Sequence, residues 1–591
     1  MSDLQTFLSL LEREGQLARV GVEVDPRLEI TEITGRVVEE AGPALLFERV
    51  QGSPYPLAIN ILGHERRIEL ALGRHPQQVG DELSRLIEAA APPRPKRLLD
   101  EWRTLGRVLA ASPRRVRRAA SQEVVEPPDL TRLPVMTCWP GDAGPFLTCG
   151  MVLTHDPDTD ARNLGIYRMQ IVGPDRVLMH WQIQKGGGFH YWKAERQGKA
   201  LSVAVLIGSD PILYLASVAP LPEGIDELAF AGFLAGRRVP LVMGKSGTTV
   251  VPAEAEIVLE GIVPPDERMS EGPFGDHFGH YSHPKPCPVL WIEHMTRRRN
   301  PVYLSAVVGK PPHEDRYIGN AVQEMMLPMI RMLHPELRDL WAYYEAGFHS
   351  LAVASVTQRY AKEGMKTALG LLGTGQMALT KCLILVDDDV NARDFGAVLG
   401  ALREHFAPAE DFLLLPGVPF DTLDFTSFTL NVGSKMVLDA TRRVPGDQPE
   451  APVARLDAAA IESALRRLHP GIRGARLLGG ALLAVQAEGA GREVLERLVG
   501  AKETERVPIV AVVSGDVALE DRESLLWGIF TRFDPARDVL FSRMEARGAW
   551  PVYRGCLGID ATFKPGYPDP ITMDPAVAAQ VEARWRQYWR A

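Results

Sequence analysis

No run of 18 apolar residues occurs anywhere in the 591-residue chain, so no segment reads as a membrane span. Positive charge is not in excess either. Sixty-six Lys and Arg against 75 Asp and Glu leave a net charge of −9. That balance argues against a nucleic-acid or anionic-membrane partner, both of which want a basic face. Cysteine is scarce: Cys138, Cys149, Cys287, Cys382 and Cys556 are scattered, odd in number and never in CxxC spacing. This fits a reducing cytoplasm and disfavours a thiolate zinc site. A basic-then-apolar signal pattern is also missing. The chain goes straight into an amphipathic helix, with Leu4, Phe7, Leu8 and Leu11 at i, i+3, i+4, i+7 spacing, Asp3 as cap and Gly15 as stop.

What is present is an ordinary globular composition, 46% hydrophobic and 24% charged, on a chain too long for one core. The expected class is multidomain α/β. Residues 1–115 alternate helical and extended segments and contain a basic, Pro-rich stretch at 91–97. Residues 116–312 read as strands and turns, a barrel or strongly curved sheet, including a strand pair at 288–292 and 302–308. Residues 313–445 return to alternating helices and strands, and 446–591 form a duplicated unit that packs or oligomerises. The duplication is visible directly: 389–413 and 516–540 align without a gap, and nine of 25 positions are identical. Among them are Asp389/Asp516, Asp394/Asp521, Phe406/Phe533 and Asp411/Asp538, and 438–441 is echoed by 559–562. A linker rich in Pro, Gly and Asp is expected at 445–452.

The most informative stretch is Glu271-Gly272-Pro273-Phe274-Gly275-Asp276, two carboxylates five residues apart around a core that turns the backbone sharply. Adjacent carboxylates push each other's pKa values apart, which suits proton chemistry, although an acidic loop alone has the same look. Upstream, Asn163 and Arg168 offer an amide and a guanidinium five residues apart at a strand entry. Glu227 follows a Pro-Glu-Gly turn. The alternating acids of 254–261 read as a half-buried strand with a solvated acidic face. The triplet Asp387-Asp388-Asp389, between strand and helix, suits capping and backbone satisfaction more than metal binding. His277, His280 and His283 have the spacing of a metal cluster.

Taken together these motifs resemble the UbiD family of prenylated-flavin-dependent decarboxylases. The resemblance runs from Asp3 to about Arg442. It is carried by Asp25-Pro26 with 28–33, by 42–48, by Met136 to Pro140, by Asn163 to Gln170, by Glu271 to Asp276, by 386–394 and by 433–441. It implies a central FMN-binding split β-barrel between an N-terminal and a C-terminal α/β domain. It also implies that the segment of His277, His280 and His283 is turn and strand, not a metal cluster. The extra repeat resembles the longer, menaquinone-type members of the quinone-biosynthesis branch.

The implied activity is non-oxidative decarboxylation of an aromatic hydroxy acid through a covalent prenylated-FMN adduct. 1,4-Dihydroxy-6-naphthoate is the first candidate substrate, and a 4-hydroxybenzoate-type acid of ubiquinone biosynthesis the alternative. Losing CO2 from an aromatic ring leaves electrons that cannot delocalise, and no side chain is an adequate sink. By the resemblance Arg168 holds the substrate carboxylate and pairs with Glu271, while Asp276 delivers the proton; the two acids remain interchangeable, and a purely structural ion pair is the plain alternative for Arg168.

Asn163 and Glu227 match ligands of Mn2+ or Mg2+, a hard cation suited to amide and carboxylate oxygens, with K+ as an additional candidate ion. Gln184, His190 or water are the candidates for a third ligand. Ile166, Tyr167, His180, Trp181 and Gln182 match flavin-lining positions. Lys185 and Gly186 are placed to meet the phosphate, and Lys381 matches a lysine that reaches the cofactor. A separate flavin prenyltransferase is the implied supplier, and a cytoplasmic homo-oligomer of two or more chains is expected. Two rival readings are a flavin oxidoreductase using ordinary FMN and a non-catalytic subunit of a carboxylase assembly.

Overall fold

The computed structural model describes residues 3–90, 102–109, 111–182, 185–222, 224–443, 458–465, 467–489 and 491–589. The Pro-rich stretch at 91–97, Gln184 and the expected linker at 445–452 lie outside them. The chain forms two compact units, residues 1–329 with 569–591, and residues 330–568.

The first unit opens as its periodicity requires. The helix Leu4–Arg13 buries Leu4, Phe7, Leu8 and Leu11; Asp3 accepts the Thr6 N–H at 2.8 Å, and Gly15 takes φ +67° after the last turn. A four-stranded sheet follows, in the order Leu17–Val24, Ala44–Val50, Leu57–Ile59, Tyr303–Leu304. The expected pairing of 288–292 with 302–308 is therefore absent. Lys285–Arg297 belongs to the central sheet, whereas Tyr303–Leu304 leaves it and pairs parallel with Leu57–Ala58.

The central sheet has ten strands. Its path runs Phe146–Leu147, Met169–Gly173, Arg176–Met179, Lys285–Arg297, Ile257–Val263, Leu201–Ile207, Met151–His155, Arg162–Ile166. Arg162–Ile166 ends one side of this path and Met169–Gly173 lies next to the other end, yet only Tyr167 and Arg168 join them. Three backbone steps reach at most about 11 Å, so the sheet must curl until its ends approach. The result is a half-barrel with Arg168 at the seam.

The strands are covered on both faces. Along Leu201–Ile207, Val203, Val205 and Ile207 point into one core while Ala204 and Leu206 point into another, which is why this strand reads as an unbroken apolar run. The same double coverage overturns the solvated acidic face expected for 254–261. The strand is Ile257–Val263, and Glu256 and Glu260 are both fully buried. Glu256 accepts from Gln5 at 2.8 Å and from the Val302 N–H at 3.0 Å, and faces Arg298 at 3.3 Å. Glu260 accepts from the Lys245 and Ser246 N–H groups and the Ser246 hydroxyl. Alternation marks a polar face, and here that face meets protein donors instead of water.

The second unit contains two five-stranded sheets of identical order. One runs Leu337–Ala342, Leu351–Val356, Cys382–Asp387, Val432–Asp439, Phe412–Pro419; the other runs Ile472–Leu478, Leu482–Ala487, Ile509–Val513, Trp550–Ala561, Val539–Arg547. The duplicated residues do duplicated work. Asp394 caps Phe395–His405 and Asp521 caps Arg522–Phe530 through N–H groups two and three residues on. Asp411 and Asp538 each accept an N–H four residues back, and Asp439 and Asp560 each hold the Thr two residues on. The two sheets share one core that includes Phe395 and Leu399 from the first copy and Leu526 and Ile529 from the second. The Asp387-Asp388-Asp389 triplet serves the turn: Asp387 accepts the Arg442 N–H at 2.9 Å, Asp388 the Thr357 hydroxyl at 2.6 Å, and Asp389 pairs with Arg442. No described helix is long and apolar enough to cross a membrane.

Candidate active site

At the seam of the half-barrel, Arg168 is 9% exposed and its guanidinium is gripped on two sides. Nε and Nη2 donate to the two oxygens of Glu271 at 2.8 and 3.0 Å, a bidentate fork. Nη1 donates to Asp276 Oδ2, and Nη2 also donates to Ser282 Oγ at 3.1 Å. Below the guanidinium lies the Phe274 ring, 4.7 Å from Cζ. The turn that brings both acids to one arginine depends on its glycines. Gly272 has φ +91°, where a side chain would strain the backbone. A Cβ on Gly275 would lie 2.3 Å from the Trp139 ring. Asp142 ties the same turn to the Trp139 segment, accepting from Gly275 N–H at 2.8 Å and Trp139 N–H at 2.9 Å.

The electrostatics follow from this packing. Burial alone would raise the Glu271 carboxyl; the hydrogen bond to His180 and the Arg168 charge outweigh it and hold it at about 2. Asp276 is likewise buried, and Arg168 and His277 keep it well below the usual carboxylate range. His180, whose Nδ1 lies 3.2 Å from Glu271 Oε2, is pushed down to about 4 by burial and then by the Arg168 charge. It is a neutral ring at neutral pH. Lys285 is also lowered by burial next to this group. Arg168 thus compensates both carboxylates directly, and Lys285 adds positive charge nearby.

A second cluster stands on the adjoining strand. Glu227 begins the helix Glu227–Ala235 and accepts the Leu164 N–H at 3.0 Å, beside Asn163. Burial pushes its carboxyl up to about 7. Gly186 opens the helix Gly186–Arg196, and a Cβ there would meet Asn163 Oδ1 at 2.0 Å. Gly187 N–H donates to the Tyr167 hydroxyl at 3.1 Å, and Tyr167 packs edge-on to Trp181 with ring centroids 5.0 Å apart. Among the described residues, the buried Asn163 Nδ2, His180 Nε2 and Trp181 Nε1 have no hydrogen-bond partner.

These features fit a flavin phosphate and a hard divalent cation. A buried carboxylate beside an amide oxygen calls for a cation, the first turn of a helix presents N–H groups to an anion, and three orphaned polar atoms await a ligand. Ile166 and Gln182 border this cluster in sequence and are half-buried, with Lys185 at the helix N-cap. His190 is turned elsewhere, Nδ1 to Thr154 Oγ1 at 2.9 Å and Nε2 towards Asp156 at 3.9 Å.

Lys381 lies in the second unit, 1% exposed, with its ammonium 2.8 Å from Asp424. The three spaced histidines do not converge: His277 binds Asp276, and His280 faces the Phe278 carbonyl. Among the described residues, the only group whose ligand atoms come within 4.8 Å of one another is His180, Glu271 and Cys287, and its carboxylate is already committed to Arg168. Sequence reasoning missed Ser282, Lys285 and Asp142. Each meets the site across a long stretch of chain or from an unremarkable loop, and no local pattern marks it.

Three family models match in order: the 3-octaprenyl-4-hydroxybenzoate carboxy-lyase N-terminal domain over 8–87, its Rift-related domain over 114–311, and its C-terminal domain over 316–440 and 455–554. An uncharacterized protein of Archaeoglobus fulgidus is 42% identical over 464 residues, 77% of this chain and 95% of that one. Vanillic acid decarboxylase of Sedimentibacter hydroxybenzoicus, in its closed form, superposes with a TM-score of 0.68 at 27% identity, over 77% of this chain and 96% of that one. The UbiD-class enzyme HmfF of Pelotomaculum thermopropionicum, in complex with FMN, gives 0.63 at 28%, over 78% and 99%. The C-terminal model falls on both copies of the duplicated sheet. With its three domains in order and an arginine clamped between two acids at the seam of the half-barrel, the chain belongs to the UbiD family of prenylated-FMN-dependent decarboxylases.

Proposed function

We propose that the chain releases CO2 from a hydroxylated aromatic acid, with 1,4-dihydroxy-6-naphthoate of menaquinone biosynthesis as the substrate. The observation that carries the decarboxylase reading is the Arg168 fork held between Glu271 and Asp276 in a buried site. When bound, prenylated FMN supplies the electron sink that no side chain can.

The residues supply the rest. An incoming carboxylate competes for the planar fork of Arg168. Asp276 meets that arginine through one oxygen, whereas Glu271 meets it through two and is also held by His180, so Asp276 is the acid displaced. Freed from Arg168 but still buried, Asp276 rises in pKa and takes a proton, which offsets the negative charge that the substrate carboxylate brings. It then protonates the vacated ring carbon. Burial of both acids keeps bulk water from competing.

Asn163 and Glu227 would hold Mn2+ or Mg2+ against the flavin phosphate, and the N-terminal turn from Lys185 and Gly186 would meet the same phosphate. Ile166, Tyr167, His180, Trp181 and Gln182 would line the ring system. Support for the naphthoate comes from the second C-terminal sheet, a feature resembling the longer quinone-branch members; a 4-hydroxybenzoate-type acid is the second reading. The protein works as a cytoplasmic homo-oligomer and receives its cofactor from a flavin prenyltransferase.

The test is expression with and without a flavin prenyltransferase, followed by cofactor mass and turnover on a panel of hydroxylated benzoates and naphthoates. Prenylated FMN with CO2 release fastest from 1,4-dihydroxy-6-naphthoate supports the proposal. Ordinary FMN with NADH oxidation in both preparations would replace it with an oxidoreductase, and absence of flavin in both would favour a non-catalytic subunit.

A further inference from the structure

Each turnover places one proton on carbon, so a buried acid that gives up its proton must be reloaded before the next cycle. Asp276 is 7% exposed, and its two oxygens are divided between two partners. Oδ2 faces Arg168; Oδ1 accepts from the backbone N–H of His277 at 2.7 Å and lies 2.8 Å from His277 Nδ1. The His277 side chain is 22% exposed, against 9% for that of Asp276 and none for Glu271. It spans the boundary between the sealed acid and solvent. Behind it stands Asp315, close enough to His277 for the two to interact electrostatically, and the ring lies 4.9 Å from that of Phe278. An imidazole can take a proton from solvent on one nitrogen and pass one inward from the other, a route that a carboxylate sealed against Arg168 lacks.

We infer that His277 is the proton relay that recharges Asp276 from solvent. The inference rests on the reading of Asp276 as the proton donor. The steps balance as follows. The bond between ring carbon and carboxylate breaks, CO2 departs, and Asp276 transfers its proton to the vacated carbon, becoming a carboxylate. Imidazolium His277 gives its Nδ1 proton to Asp276 Oδ1, and the carboxyl turns about Cβ–Cγ to present it to the substrate side. The neutral ring, left protonated at Nε2, turns to expose Nδ1 to solvent, regains a proton there and turns back to Asp276. One proton is consumed per CO2 released, with no oxidant or reductant.

His277→Gln tests the relay, because the amide still donates to Asp276 but carries no transferable proton. In protein loaded with prenylated FMN, kcat should fall about 100-fold with KM unchanged, and added imidazole should restore it in a concentration-dependent way. In flavin-free protein, NMR titration of the His277 ring should shift to lower pH when Asp276 is changed to Asn, because the neighbouring anion is gone. Unchanged kcat in His277→Gln, no rescue by imidazole, or an unmoved His277 titration overturns the relay. Asp276→Asn separates the two readings. If it keeps full turnover, the donor assignment itself fails; if it is inactive while His277→Gln is normal, the relay alone fails.

Discussion

Replacing Arg168 with Met removes the charge on which two buried carboxylates depend. Glu271 has no exposed side-chain surface and Asp276 has 9%. Stripping one partner from a buried ion pair costs about 3–5 kcal/mol, because the remaining charge is left in a poor dielectric environment. Here the loss is capped by protonation. Elsewhere in this unit carboxyls with weaker compensation sit at about 6 (Asp142) and about 7 (Glu227), both raised by burial. Without Arg168, Glu271 should move from about 2 towards that range.

The sign of the pH effect then separates the two proteins. In the wild type, the stabilisation from a depressed Glu271 is complete above its ordinary value of 4.5 and lost only as pH falls towards 2. In Arg168→Met the same carboxyl is raised, so the folded state binds extra protons and gains stability as pH falls from 7 to 5. The gap between the two proteins should be a few kcal/mol at pH 7 and narrow by pH 5. The assay is urea unfolding of flavin-free protein, followed by tryptophan fluorescence with Trp139 beside the site. A variant as stable as the wild type, or a gap constant from pH 7 to 5, would refute the claim that Arg168 holds both acids ionised.

Other consequences concern the turn and the cation site. Gly275→Ala drives a Cβ into the Trp139 ring and should cost about 1–3 kcal/mol with a fall in kcat, read by unfolding and turnover. Gly272→Ala forces a side chain onto φ +91° and should cost about 1–2 kcal/mol, again seen in unfolding. Glu227→Gln should abolish retention of Mn2+ measured by elemental analysis. In the unaltered protein that retention should weaken as pH drops below about 7, where the buried Glu227 carboxyl takes up a proton.

Much of the site was legible because its chemistry is local. Glu271, Gly272, Gly275 and Asp276 lie in one short turn, and each does there what its residue type suggests. Arg168 was readable from its motif, but its partnership with residues more than a hundred positions away is set by the curl of the sheet. Asp142 meets the turn from 133 residues away, and Ser282 folds back onto Phe274 beside it; neither carries a spacing that announces it. The duplication was plain because Asp394/Asp521 and Asp411/Asp538 are capping residues, kept where the backbone needs an acceptor.

The burial of Glu256 and Glu260 was illegible because alternation reports two faces, not what covers them. The pairing of Tyr303–Leu304 with the N-terminal sheet was hidden for a similar reason: two residues carry no periodicity. The return of the C-terminal helix Pro575–Tyr588 to the first unit depends on long-range anchors, Tyr588 to Glu29 at 2.7 Å and Arg584 to the Glu23 carbonyl at 2.9 Å.

The central claim is that Arg168, Glu271 and Asp276 act together in releasing CO2. Its most direct test is evolution of labelled CO2 from a carboxyl-labelled hydroxynaphthoate by protein loaded with prenylated FMN, comparing the wild type with Glu271→Gln at equal flavin occupancy. Rapid release by the wild type and none above background by the variant is the predicted result. Equal release by both, with the flavin bound alike, would contradict the account.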